Sequence, residues 1–345
     1  MKAALRSALK QVECVEIDKP TAGDGEVIIK VAFAGICGSD IHRMVDDNEK
    51  WNRIVLGHEF SGYIEEIGEG VEGLTKGDRV TAVPLEPCHH CKWCQQGLYS
   101  LCGGYSFVGS RKHGAFAQFV RVKADNVLKL GDKVSMRQGA LMEPVTVTLH
   151  PVLELGTIAG KRALIIGSGT IGVLAISVLK KMGVSDVTVS DVVDQKLELA
   201  TRCGADRVVN VLNEPLTEVA EKEGLYDIVL ECSGTHIGKN DAMNVANGKG
   251  TIVFVGTSPK DAQFSGETLE RINRKELTIK GSWMNYSAPW PGNEWKIVND
   301  MMNEGLIDEK LIVSHEFGVE DMQKAYDVIF GGEYYVKILI AMGEE

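Results

Sequence analysis

At 345 residues the chain is long enough for two packed domains, each burying its own core. Its composition, 44% hydrophobic and 25% charged, with no apolar run near the ~18 residues of a membrane span, excludes membrane-spanning and disordered classes. The 48 acidic against 37 basic residues give a net charge of −11 without a Lys/Arg block, so neither nucleic acid nor a membrane is an expected partner.

The leading MKAALRSALKQVECVEIDKP breaks up at Lys10, Gln11 and Glu13 before any signal-peptide core forms, which points to the cytoplasm. EVIIKVAFAG, SGYIEEIGEGV and GDRVTAV then read as short strands punctuated by Gly, Pro and Asp turns, a compact β-rich domain. Pro87 opens a cysteine-rich loop. Cys88, Cys91, Cys94 and Cys102 stand at the short spacings of a closed, all-thiolate zinc site that staples a lobe over residues 85–105. A redox pair or an iron–sulfur cluster is the alternative reading, with nothing else in the chain suggesting electron transfer. Cys14, Cys203 and Cys232 read as small buried hydrophobes.

From about residue 160 the texture changes. RALIIG, DVTVSD, DRVVNV, DIVLECSG, TIVFVG and ELTIKGS are six candidate strands, alternating with helical patterns such as IGVLAISVLKKMG and DQKLELATRCG. That alternation predicts an α/β fold with a doubly wound parallel sheet. The remainder, from about Pro289, reads as helical and ends in YYVKILIAM, a strand expected to return to the first domain. The expected domains are therefore 1–150 with 290–345, and 151–289.

Gly167-Ser168-Gly169-Thr170-Ile171-Gly172 follows the apolar ALII and opens a helix, the setting in which a Gly-x-Gly-x-x-Gly turn cradles a pyrophosphate. Asp191 stands at the end of the next strand, where a carboxylate bonds both ribose hydroxyls and repels a 2′-phosphate. No Arg follows in Val192-Val193 to receive a 2′-phosphate, so NAD is expected rather than NADP, although Lys196 further on could face the ribose.

A second constellation is scattered: Cys37 in GICGSDIH, His58-Glu59 in GHEFSG and Glu143 in MEPVTV. HEFSG lacks the second His of a zinc-protease helix, which excludes that hydrolysis. One Cys, one His and carboxylates form a mixed set able to leave zinc a position for substrate or water.

The order Cys37, Gly57-His58-Glu59, four-Cys lobe and GSGTIG resembles the zinc-dependent medium-chain alcohol dehydrogenase family across essentially the whole chain. GHEFSGYI, GLYSLC, FVGSRKHGAFA, EPVTV and RKELTIKGSWMNYSAPWPGNEW are similar to its polyol dehydrogenase branch. The resemblance implies a GroES-like catalytic domain beside a Rossmann domain, a homodimer or tetramer, NAD, and two zinc ions per chain, one catalytic and one structural. It makes Cys37, His58 and Glu143 catalytic zinc ligands, Glu59 a ligand or near neighbour that exchanges with water, Ser39 and His42 a proton relay, and Asp40 the residue orienting His58. The implied reaction is zinc-dependent oxidation of a secondary alcohol of a sugar-alcohol phosphate, with hydride passing to NAD. A free polyol or threonine is the alternative substrate, and a non-catalytic NAD- and zinc-binding protein is the alternative of another class. His42 before Arg43 departs from the hexitol-phosphate pattern and resembles sorbitol and threonine dehydrogenases. A phosphorylated substrate would need basic partners, for which Arg43, Arg111 and Lys112 are the candidates, and Asn285 in WMNY would add a polar group for the sugar chain.

Overall fold

The computed structural model describes residues 1–258 and 260–343. The chain divides into two compact units, Met1–Glu143 with Asn285–Glu345, and Pro144–Met284. These boundaries fall a few residues before the positions read from the sequence.

The first unit is built on a seven-stranded sheet whose centre is the strand Glu26–Gly35. Val27, Ile28 and Ile29 are fully buried in a row, because both faces of this strand are covered. Glu59–Ile67 pairs antiparallel along one edge and the C-terminal strand Lys337–Ala341 along the other, with Leu339 opposite Gly35. Phe119–Lys123 also pairs with the central strand, over its first half. A register shift near Phe33 bends the central pair, and there Gly62 is required: a Cβ would lie 2.1 Å from the Lys30 carbonyl oxygen. The core gathers Val31, Ala34, Phe60, Phe116, Tyr326 and Ile340.

The second unit holds a six-stranded parallel sheet. Its strands, Arg162–Ile166, Asp186–Asp191, Arg207–Asn210, Tyr226–Glu231, Ala246–Phe254 and Thr278–Gly281, stand in the spatial order 3-2-1-4-5-6. This is the doubly wound order anticipated from the alternating pattern, and it reverses direction between the first and fourth strands, where such sheets bind nucleotides. Ala163, Leu164 and Ile165 are fully buried, as a strand covered on both faces requires. Among the described residues no helix is long and apolar enough to cross a membrane.

Candidate metal centres and dinucleotide site

In the first unit, strand pairing brings the scattered cluster together. Gly35 lies opposite Glu59, so Cys37, two residues beyond the end of the central strand, meets His58-Glu59 at the start of its neighbour. Gly57 has φ +90°, and a Cβ on it would fall 2.7 Å from the Phe116 ring, so only glycine lets the chain turn into His58 here. One ligand atom each from Cys37, His58 and Glu59 lies within 4.8 Å of the others. Glu143 is not part of that group of three. It sits in the first turn of the helix Met142–Leu153, buried, with the Asn285 side-chain amide donating to its carbonyl oxygen at 3.2 Å and to Oε1 at 3.4 Å.

The helix Gly38–Val45 follows Cys37 and supplies Asp40, which is fully buried. Asp40 Oδ2 accepts from the Cys37 N–H at 3.2 Å, while Oδ1 faces Arg43 Nη1 at 3.1 Å and His58 Nδ1 at 3.6 Å. Burial alone would raise the Asp40 carboxyl, but the His58 and Arg43 charges and the Cys37 N–H together hold it below its ordinary value. His58 is raised well above its usual range: burial opposes the imidazolium, and Asp40 and Cys37 more than offset it. Burial, reinforced by the Glu59 carboxylate and opposed by His58, pushes Glu143 up to about 7. Three acidic side chains gathered around one imidazole in a dry site call for a cation, and a thiolate, an imidazole and carboxylates are donors that zinc accepts.

The four-Cys lobe is a local structure. The Sγ atoms of Cys88, Cys91, Cys94 and Cys102 all lie within 4.8 Å of one another, with Cys91–Cys94 at 3.6 Å and Cys88–Cys94 at 4.0 Å. Zinc–sulfur bonds of ~2.3 Å place tetrahedral sulfurs ~3.8 Å apart, so these spacings fit one zinc ion held by four thiolates.

In the second unit Gly167 takes φ +93°, and a Cβ on Gly172 would meet the Gly167 carbonyl oxygen at 1.9 Å, which is why the turn needs both glycines. A Cβ on Gly169 would meet nothing within 4 Å, so this position opens outward. Thr170 and Ile171 start the helix Thr170–Lys181, whose first N–H groups form the anion-binding end. Asp191 Oδ2 accepts from the Ser168 N–H and hydroxyl at 2.7 and 3.0 Å, and Oδ1 from the N–H groups of Val192 and Val193 at 2.8 and 3.1 Å. Lys196 is half-buried on the helix Asp194–Arg202 that follows.

Two family models match the chain: the alcohol dehydrogenase GroES-like domain over residues 23–132 and the zinc-binding dehydrogenase over residues 170–303. The chain belongs to the zinc-dependent medium-chain alcohol dehydrogenases. Within that family this dehydrogenase falls in the polyol branch. It is 38% identical over 303 residues to galactitol 1-phosphate 5-dehydrogenase of Escherichia coli strain K12, covering 87% of this chain and 88% of that protein. It is 32% identical over 328 residues to L-threonine 3-dehydrogenase of Pseudoalteromonas translucida, with 91% and 92% covered. The crystal structure of galactitol-1-phosphate dehydrogenase from Escherichia coli superposes with a TM-score of 0.95 at 36% identity, over 99% of this chain and 100% of that one.

The remaining predicted residues of this dehydrogenase are dispersed. Ser39 and His42 lie three apart on the helix Gly38–Val45, His42 exposed, and Ser39 Oγ accepts from Arg43 Nη1 at 3.0 Å. Arg43 is thus engaged by Asp40 and Ser39 beside the cluster. Arg111 stacks on the Tyr105 ring and donates to the Tyr105 carbonyl, while Lys112 pairs with Glu86 at 2.5 Å. Both line a cavity of about 540 Å³ with Arg53, His113, Arg121 and Asp18; Arg43, grouped with them from the sequence, does not line it. Asn285, expected to face the sugar chain, is fully buried against Glu143. Lys337 was missed: its Nζ lies 2.6 Å from Glu59 Oε2, and the signal was a single lysine inside the otherwise apolar run VKILIAM.

Proposed function

We propose that the chain oxidises the 5-hydroxyl of galactitol 1-phosphate to tagatose 6-phosphate, with hydride transfer to NAD. The observation that carries this reading is the mixed Cys37, His58 and Glu59 cluster, whose donors suit an open zinc site, in a chain 38% identical to a galactitol 1-phosphate 5-dehydrogenase. Cys37, His58 and Glu143, with Glu59 exchangeable, would hold a zinc ion, which when bound would supply a Lewis acid lowering the pKa of the substrate hydroxyl. Ser39 Oγ accepts a hydrogen bond from Arg43, which orients it to take the hydroxyl proton and hand it to His42, exposed and able to release it to water. Arg111 and Lys112, which share one cavity, and Arg43, beside the cluster, are the candidate phosphate partners, and the side-chain amide of Asn285 holds Glu143 in place. A second zinc in the four-Cys lobe is structural. Asp191, with no arginine beside it, favours NAD over NADP. None of the eight cysteines is in a disulfide, which suits the cytoplasm, and we infer a homodimer or tetramer there.

Initial-rate NAD reduction by zinc-loaded protein tests this with galactitol 1-phosphate, galactitol, sorbitol and threonine. Turnover confined to the phosphorylated hexitol supports the proposal. Turnover of free polyols or threonine instead favours the second reading, to which His42 before Arg43 and the 32% identity to a threonine dehydrogenase lend weight. Inertness to all four, with one zinc per chain, refutes the catalytic reading.

A further inference from the structure

The C-terminal strand Lys337–Ala341 is apolar except at its first residue. Lys337 is 2% exposed, and its Nζ donates to Glu59 Oε2 at 2.6 Å and to the carbonyl oxygen of Ile36, the residue before Cys37, at 3.0 Å. An ammonium loses several kcal/mol of hydration on burial, so it persists there only against a charge. That charge is a carboxylate that also stands within 4.8 Å of the ligand atoms of Cys37 and His58. Gly35 leaves the notch into which the Glu59 side chain folds: a Cβ at this position would lie 2.2 Å from Glu59 Oε2.

Charge balance gives this arrangement a purpose. Cys37 as thiolate, Glu59, Glu143 and Asp40 bring four negative charges into one dry site, and a divalent metal cancels only half of them. Arg43, against Asp40, and Lys337, against Glu59, supply the rest. The two cations are not equivalent: Arg43 neutralises a carboxylate that touches the metal ligands, whereas Lys337 neutralises one that is itself a candidate ligand.

We propose that Lys337 is a positioning residue that keeps Glu59 an exchangeable metal ligand. One carboxylate oxygen is held by the ammonium, so Glu59 is shared between a fixed cation and the metal and gives way to an incoming ligand. With the ammonium gone, the uncompensated carboxylate beside a dication binds it permanently and blocks the position that a substrate hydroxyl must take. The inference rests on the zinc reading of this cluster and needs no knowledge of the substrate.

The test uses full-length protein with cobalt(II) in place of zinc, titrated with imidazole and followed through the visible bands of the mixed Cys37–His58 site. Lys337→Met is expected to weaken imidazole binding about ten-fold or more, and Lys337→Arg, which restores the cation, to recover most of that affinity. Glu59→Gln removes the competing ligand, so adding Lys337→Met to it is expected to change nothing. Imidazole binding unchanged by Lys337→Met, or weakened equally in the Glu59→Gln background, overturns the proposal. If Lys337→Met alone fails to fold, Lys337→Gln, which keeps a hydrogen-bond donor without the charge, takes its place and is expected to weaken imidazole binding likewise, an unchanged affinity overturning the proposal. Wild-type protein that takes up cobalt only in the four-Cys lobe refutes the mixed metal site itself, an outcome separable from a null effect at Lys337.

Discussion

Replacing Asp191 with Ala removes four hydrogen-bond acceptor contacts at once. Two of them serve the N–H and hydroxyl of Ser168, a fully buried residue, and two serve the N–H groups of Val192 and Val193, nearer solvent. The outer pair turns to water at little cost. The Ser168 donors lose a charged acceptor inside the fold, at ~1–2 kcal/mol each, so about 2–4 kcal/mol of stability should go from this unit. At roughly 2–4 °C per kcal/mol for a unit of this size, its melting transition should fall by about 5–15 °C. The same change alters cofactor choice. A carboxylate ~4 Å from a 2′-phosphate charge, in surroundings of effective dielectric ~20, repels it by roughly 4 kcal/mol, and the ribose loses an acceptor. The ratio of kcat/KM for NADP to that for NAD should therefore rise about 10²–10³-fold, measured by initial rates with both cofactors beside a thermal melt. A ratio that moves less than about threefold would show that the carboxylate does not face the 2′ position; a melting transition that stays put would show that Ser168 does not depend on it.

On the proposed reading of one zinc in the lobe and one in the mixed site, Cys102→Ser should lower zinc content by one ion per chain and destabilise the lobe, as read by metal analysis and proteolysis; unchanged zinc content would exclude the four-thiolate site. Arg111→Ala should raise KM for galactitol 1-phosphate about ten-fold with kcat nearly unchanged, and an unchanged KM would remove Arg111 from the phosphate site. His42→Ala should slow oxidation most at low pH, whereas a pH profile parallel to wild type would rule out the relay. Asp78, hydrogen-bonded to Lys129 at 2.7 Å and by the Thr75 N–H at 2.8 Å, is lowered to about 2. Its folded value lies below the unfolded ~3.9, so its contribution is complete above roughly pH 5 and fades as the pH falls towards 2. Asp78→Asn should flatten that acid limb in denaturation curves, and an unaltered limb would contradict the assignment.

Local features of this chain were legible because their partners lie close in sequence. The four lobe cysteines span fifteen positions, and Gly167 to Gly172 carry their own strand and helix, so spacing alone implies their geometry. The inner strands of the second unit, such as Arg162–Ile166 and Tyr226–Glu231, announced themselves as apolar runs because both sheet faces are covered there. The mixed site was legible mainly through family resemblance: strand register rather than spacing unites Cys37 with His58 and Glu59, and Glu143, from a third element, stands outside that group of three. Asn285 was misread because a polar residue after a strand resembles a cleft residue, while burial against Glu143 gives it a different partner. Lys337 was invisible for the opposite reason, its partner Glu59 being 278 positions away.

The distance along the chain from Lys337 to Ile36, 301 residues, also dictates an order of events during synthesis. The lobe around Cys88 needs only a short stretch of chain and can capture zinc early, and the strands between Arg162 and Gly281 can pair while the C-terminus is still unmade. The sheet around Glu26–Gly35 cannot be finished until Lys337–Ala341 emerges and slots in beside it. The strand that completes the sheet is also the one that delivers the buried ammonium to Glu59. A chain ending before that strand therefore lacks the ammonium that stands against Glu59. Chains ending at Gly332 should keep the melting transition of the second unit and lose the cobalt bands of the Cys37–His58 site, so that the final strand acts as the step that licenses chemistry.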